Sequence, residues 1–195
     1  MVTPGPASPA ALVARLAQQL GSEPGPAVEA FCSRFRLHLN HFAEYGADLT
    51  HRRVAVMTLG CGAAFGRDLA AFAESFGLGA STARWVEALQ EALDTWMLVR
   101  VADLPGGMDL GLYFRKPLPI GRALALLEEF EAPLVERETL AALADHLGVE
   151  RTGVLAAQLR PDRPPAFKVY LHAWADPEAP LAGRLAALFD RFHQT

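Results

Sequence analysis

Apolar residues recur at helical spacing from Pro9 to Leu20, at Leu12, Val13, Leu16 and Leu20, and Gly21 follows as a stop. A second helix begins near Pro26 and buries Val28 and Phe31. Phe35 to Phe42 then alternates for part of its length as a strand does, and the two readings stay open there. From Arg53 to Leu59, Val54, Val56 and Thr58 alternate with Arg53, Ala55 and Met57, which predicts a strand ended by Gly60-Cys61-Gly62. Helical spacing returns over Gly66 to Phe76 and over Ser81 to Trp96, the latter opened by a Ser/Thr capping position and carrying Trp85, Leu89 and Leu93 on one stripe.

The period then changes to two. Met97 to Val101 and Leu110 to Arg115 read as strands, and the Asp103 to Met108 stretch with Pro105-Gly106-Gly107 reads as their hairpin loop. Asp103 and Asp109 flank that loop and read as turn formers. Helices follow at Ile120 to Glu131 and Glu138 to Leu147, with Gly148 as a stop. A second hairpin joins Val154 to Arg160 with Phe167 to Trp174 through a proline-rich turn, and a last helix covers Leu181 to Phe192. The expected fold class is α+β: residues 1-8 form a disordered lead, the prolines Pro4, Pro6 and Pro9 denying this opening a helix, and residues 9-195 a single domain.

The segments Gly121 to Phe130 and Gly183 to Phe192 align without gaps, and Gly66 to Phe72 is a fainter copy. The glycines are about 55 and 62 residues apart, roughly the length of a strand-strand-helix-helix unit by ordinary element lengths. Chance likeness between Ala/Leu-rich helices is the competing explanation. The reading predicts about three such units.

Strand alternation lists the two faces directly. Met97, Val99, Val101, Leu110, Leu112, Phe114, Leu155, Ala157, Leu159, Val169 and Leu171 make an apolar face suited to packing under helices. The opposite set is Trp96, Arg100, Tyr113, Arg115, Gln158, Arg160, Lys168, Tyr170 and His172. On a flat sheet these side chains are solvated. On a curled sheet they line a lumen, where cations and tyrosines suit an anionic or electron-rich ligand. Arg100, Tyr113, Arg115, Gln158, Arg160, Lys168, Tyr170 and His172 are the candidate ligand-binding residues, with no catalytic set among them.

Composition narrows the partners. The 195 residues are 51% hydrophobic and only 21% charged, with net charge -4, so a general attraction to nucleic acid or to an anionic membrane is not expected. No apolar run approaches the roughly 18 residues of a membrane span, and the start lacks a signal-peptide pattern, so a cytoplasmic protein is expected. Cys32 and Cys61 lack pairing or ligand spacing and read as small buried side chains. His38 and His41 would share a helical face, with His51 a conceivable third ligand, but a pair without a metal is the simpler reading. The glutamates from Glu128 to Glu138 read as solvated charge. Gly60-Cys61-Gly62 is no P-loop, no nucleophilic triad can be argued from spacing, and no metal or other cofactor is implied.

The pattern resembles the aromatic prenyltransferase barrel, through Leu110-Gly-Leu-Tyr-Phe-Arg-Lys116 followed by a helix pair, through Phe167-Lys-Val-Tyr-Leu171, and through the order of elements over residues 50 to 195. That resemblance implies that Lys168, Arg100, Arg115 and Arg160 contact a diphosphate or other anion and that Tyr113 and Tyr170 shield an allylic cation. The family generally has five repeats, whereas this chain has room for about three, so the resemblance implies a partial, open antiparallel β-barrel with helices outside, which a monomer could not close. An open lumen admits water, which would capture an allylic cation. The shortened form resembles the peptide-binding homologues of crocagin-type ribosomal peptide pathways. That resemblance implies a protein that binds a precursor peptide and presents it to other biosynthetic enzymes without catalysing chemistry itself. The alternative is an aromatic or peptide prenyltransferase using dimethylallyl diphosphate, its barrel completed in a homodimer through open sheet edges.

Overall fold

The structure, a computed structural model, describes residues 8–161 and 163–171. The expected last helix, the third repeat copy from Gly183 and the candidate ligand residue His172 lie outside the described residues. The architecture is α+β. Its helices are α1 (Pro9–Gln19), α2 (Pro26–Arg34), α3 (Arg36–His41), α4 (Gly62–Ser75), α5 (Ala80–Leu93), α6 (Ile120–Glu129) and α7 (Leu134–Leu147). Its strands are β1 (Glu44–Asp48), β2 (Arg53–Gly60), β3 (Met97–Leu104), β4 (Gly107–Phe114), β5 (Thr152–Leu159) and β6 (Ala166–Leu171). After the first three helices the chain therefore runs strand pair, helix pair, strand pair, helix pair, strand pair. The strands lie in the linear order β1-β2-β3-β4-β5-β6, so among the described residues the sheet is open. No helix among these residues is long and apolar enough to cross a membrane.

Contacts divide the chain into two compact units, one running to Phe114 and including Ala156–Ala166, the other comprising Arg115–Leu155 and the residues from Phe167 onward. In the first unit β1 to β4 are antiparallel neighbours, with Val56 opposite Val101 and Val99 opposite Leu112. Alternation puts Val54, Val56, Met97, Val99, Val101, Leu110, Leu112 and Phe114 on one face, where each is buried. α1, α2 and α3 pack on β2, and α2 also on β3. Phe31, Phe35 and Phe72 add a ring cluster, with centroids 4.7 Å apart for Phe31 and Phe35 and 5.7 Å for Phe35 and Phe72.

Local signals explain most boundaries. Proline occupies the first turn of α1 and α2, where its missing N–H is no loss, and the Ser8 hydroxyl accepts the Ala11 N–H at 3.3 Å. The ambiguous stretch after Phe35 is the helix α3, with Leu39 turned inward. α5 starts earlier than its Ser/Thr pair suggests: Gly79 is the N-cap and makes no side-chain capping bond. β1, a polar Glu-Tyr-Gly-Ala-Asp segment, carries no alternation from which sequence could identify it. Cys61 corrects the expectation of two buried thiols, because it is the exposed residue between β2 and α4, whereas Cys32 is buried.

The first hairpin is tighter than its sequence suggests. β3 continues to Leu104 and β4 begins at Gly107, leaving Pro105-Gly106 between them. The Gly106 N–H donates to the Leu104 carbonyl at 2.8 Å, and Gly107 has φ +117°, which a side chain would strain. Asp103 and Asp109, read as turn formers, are therefore ladder residues opposite Met108 and Ala102.

In the second unit α6 and α7 each start directly after a proline, Pro119 and Pro133. The segment before α6 is tied to the start of β5: Thr152 donates its N–H to the Leu118 carbonyl at 2.8 Å, and its hydroxyl accepts the Leu118 N–H at 3.2 Å. Leu118, Ala123, Leu126, Leu127, Phe130, Leu140 and Ala144 are buried. Gly148 ends α7 in the left-handed region, φ +65°, as its position in the sequence suggests. The matched glycines sit at different depths, Gly66 a full turn inside α4 and Gly121 near the start of α6.

Candidate functional site

The polar face of the first unit is set by the same alternation that buries the apolar one. Arg100 of β3 lies opposite Gly111 of β4, and two residues along that face are Ala102 opposite Asp109. Extending the face from Tyr113 through Gly111 thus brings an acid, Asp109, level with the cations. Its side chain is only 3% exposed.

Asp109 is the centre of the site. One carboxylate oxygen accepts from Arg160 Nε at 2.8 Å and from Gln158 Nε2 at 2.8 Å. The other accepts from Arg100 Nη1 at 2.9 Å and again from Gln158 Nε2 at 3.1 Å. Burial pushes the carboxyl upward, but the hydrogen bonds from Arg160 and Gln158 and the charges of Arg160 and Arg100 outweigh it, holding Asp109 below its ordinary value. The carboxylate stays ionised and fixes both guanidiniums. Each is about a third exposed, 28% for Arg100 and 33% for Arg160, so each keeps a solvent-facing part.

These residues border an open cleft of about 500 Å³ in the first unit. It is also bordered by the hairpin turn from Leu104 to Met108, by Pro161 and Arg163, and by Asp48 and His51. Asp48 closes the turn after β1: Oδ1 accepts the N–H groups of Thr50 and His51 at 3.0 and 3.1 Å, and Oδ2 lies 2.8 Å from His51 Nδ1. The hydrogen bond from the His51 ring, with the backbone donors, lowers the Asp48 carboxyl.

Of the eight ligand-binding candidates, the structure joins Arg100, Gln158 and Arg160 on one carboxylate. Tyr113 is half-buried on the same face, its ring lying over Gly111, where a Cβ would come 3.0 Å from Cε2. Arg115 is exposed just past the end of β4, outside the strand to which its sequence assigns it, and belongs to the second unit. Lys168 and Tyr170 are exposed on β6, also in the second unit. Trp96 precedes β3 and is 60% exposed. Asp109, Asp48, His51 and Arg163 are the site residues that sequence reading missed, and only Asp109 had a signal, its place two residues before Gly111 on the Tyr113 face.

Asp103 acts on the opposite face. Its two oxygens accept the N–H groups of Ala27 and Val28, both at 3.0 Å, so a β3 carboxylate caps the N-terminus of α2. The histidines are divided: His38 packs its ring 4.6 Å from that of Phe65, and His51 pairs with Asp48. Among the described residues no three His, Cys, Asp or Glu side chains form a metal-binding group. The arrangement offers fixed, outward-facing cations in a cleft, which is the chemistry of anion binding. No protein-family model, curated protein or solved structure matches the chain.

Proposed function

We propose that this protein binds a precursor peptide and presents it to the modifying enzymes of a ribosomal peptide pathway, performing no chemistry of its own. On this reading the chain is a shortened relative of the aromatic prenyltransferase barrel, with about three strand-strand-helix-helix units and its lumen opened into a groove. The observation that carries it is the Asp109 network, which holds Arg100, Arg160 and Gln158 fixed along one side of an open cleft. Side chains held before binding lose little freedom on binding, and a groove beside strand backbone suits an extended peptide. The strand-pair and helix-pair order of the elements supports the family reading.

Calorimetry of the full chain against each short peptide encoded beside its gene tests this. One peptide should bind, and Arg160→Ala should weaken it roughly tenfold, the loss of one charge-assisted contact. Absence of heat with every such peptide overturns the proposal.

A second reading, an aromatic or peptide prenyltransferase, draws on the same arginines, since a guanidinium pair also suits a diphosphate. The linear strand order among the described residues weighs against it, because a sheet left open there would leave an allylic cation exposed to water. Incubation with dimethylallyl diphosphate and aromatic acceptors, read by mass, distinguishes the two: an adduct of dimethylallyl mass establishes the transferase.

A further inference from the structure

The charge balance of the cleft restricts what it can hold. Three guanidiniums, of Arg100, Arg160 and Arg163, face two carboxylates, of Asp48 and Asp109, leaving a single positive charge when His51 is neutral. A ligand with one negative charge balances that. A diphosphate carries more charge than the site can offset and would also meet the field of both carboxylates. Arg160 engages Asp109 through Nε and Arg100 through one Nη, so paired N–H groups of the kind that match a carboxylate remain on each. Pro105 and Pro161 line the same cleft and give the aliphatic stem of such a ligand an apolar wall.

We propose that the cleft is a monocarboxylate site: it takes one acidic side chain or terminal carboxylate of the bound peptide and discriminates against diphosphate. The inference rests on the peptide-binding reading only for the source of that carboxylate.

The test is a titration of the full chain, following the arginine Nε–H resonances by NMR at matched ionic strength. The probes are N-acetylglutamate amide, N-acetylalanine, N-acetylglutamine amide and inorganic pyrophosphate. A carboxylate probe should shift the Arg100 and Arg160 signals with a Kd on the order of 1 mM to 10 mM, and the neutral glutamine probe should not. A response to the glutamate probe identifies an acidic side chain as the source, and a response to N-acetylalanine identifies a chain terminus. Arg160→Ala should weaken binding roughly tenfold. Asp48→Asn, at an exposed turn whose hydrogen bonds asparagine can keep, raises the net charge to two and should improve pyrophosphate binding several-fold relative to carboxylate. Tighter binding of pyrophosphate than of carboxylate by the unaltered chain overturns the proposal, as does a carboxylate titration that leaves both arginine signals unmoved. If the carboxylate probes bind and no precursor peptide does, the site stands and the peptide-presenting function falls. If a peptide binds equally well after its acids and terminus are neutralised, the function stands and the site falls.

Discussion

A Cβ atom on Gly25 would stand 2.1 Å from the Asp103 carboxylate, so the carboxylate reaches the start of α2 because residue 25 has no side chain. The two positions are therefore coupled. Gly25→Ala should destabilise the chain by about 1–3 kcal/mol through overpacking, and Asp103→Ala by about 1–2 kcal/mol through loss of the cap. In the double variant the Gly25→Ala increment should shrink, because nothing remains to collide with. Urea midpoints of the four proteins measure this, and strictly additive losses would refute the coupling.

Asp109 holds two guanidiniums that would otherwise repel across the strands. Asp109→Ala should cost about 1–3 kcal/mol at neutral pH, a range reduced for the partial exposure of both arginines. A denaturant titration reads it directly.

The same carboxyl predicts an acid limb in stability. Its folded pKa lies below its unfolded one, near the ordinary value of about 3.9, so the unfolded chain binds the proton more readily. The stabilisation is fully present above the unfolded value and is lost as pH falls through the folded one. Stability should therefore fall below about pH 4, and Asp109→Asn should flatten that limb. Asp48 is lowered too and contributes in the same direction, so Asp48→Asn is the control that separates the two.

The two cysteines should differ sharply toward a thiol reagent. Cys61 is exposed, while burial, helped by the charge of Glu29, pushes the Cys32 thiol up to about 11. The native chain should react once with Ellman's reagent and the unfolded chain twice. Rapid reaction of both thiols in the native state would contradict the placement of Cys32.

Much of the fold was legible from alternation and breakers. The apolar faces of β3 and β4 and the starts of α1 and α2 follow from residue spacing and from Pro9 and Pro26. β1 was not legible, because its five residues neither alternate nor enrich in branched side chains, and pairing with β2 decides its conformation. The site was half legible. Arg100, Gln158 and Arg160 followed from strand period, but Asp109 was hidden by its nearness to Pro105-Gly106, which suggested a longer loop than the two residues that form it. Asp103 was hidden for a different reason: its partners Ala27 and Val28 are more than seventy positions away, beyond any local signal.

That distance bears on how the chain is made. At about 5–20 residues per second, α2 leaves the ribosome several seconds ahead of the aspartate that completes its first turn. Through that interval its leading amides depend on water, and the face carrying Val28 and Phe31 has no β3 to cover it. A nascent chain halted before residue 103 would present this sticky, unfinished helix to chaperones. Synthesis of β3 is the step that withdraws it.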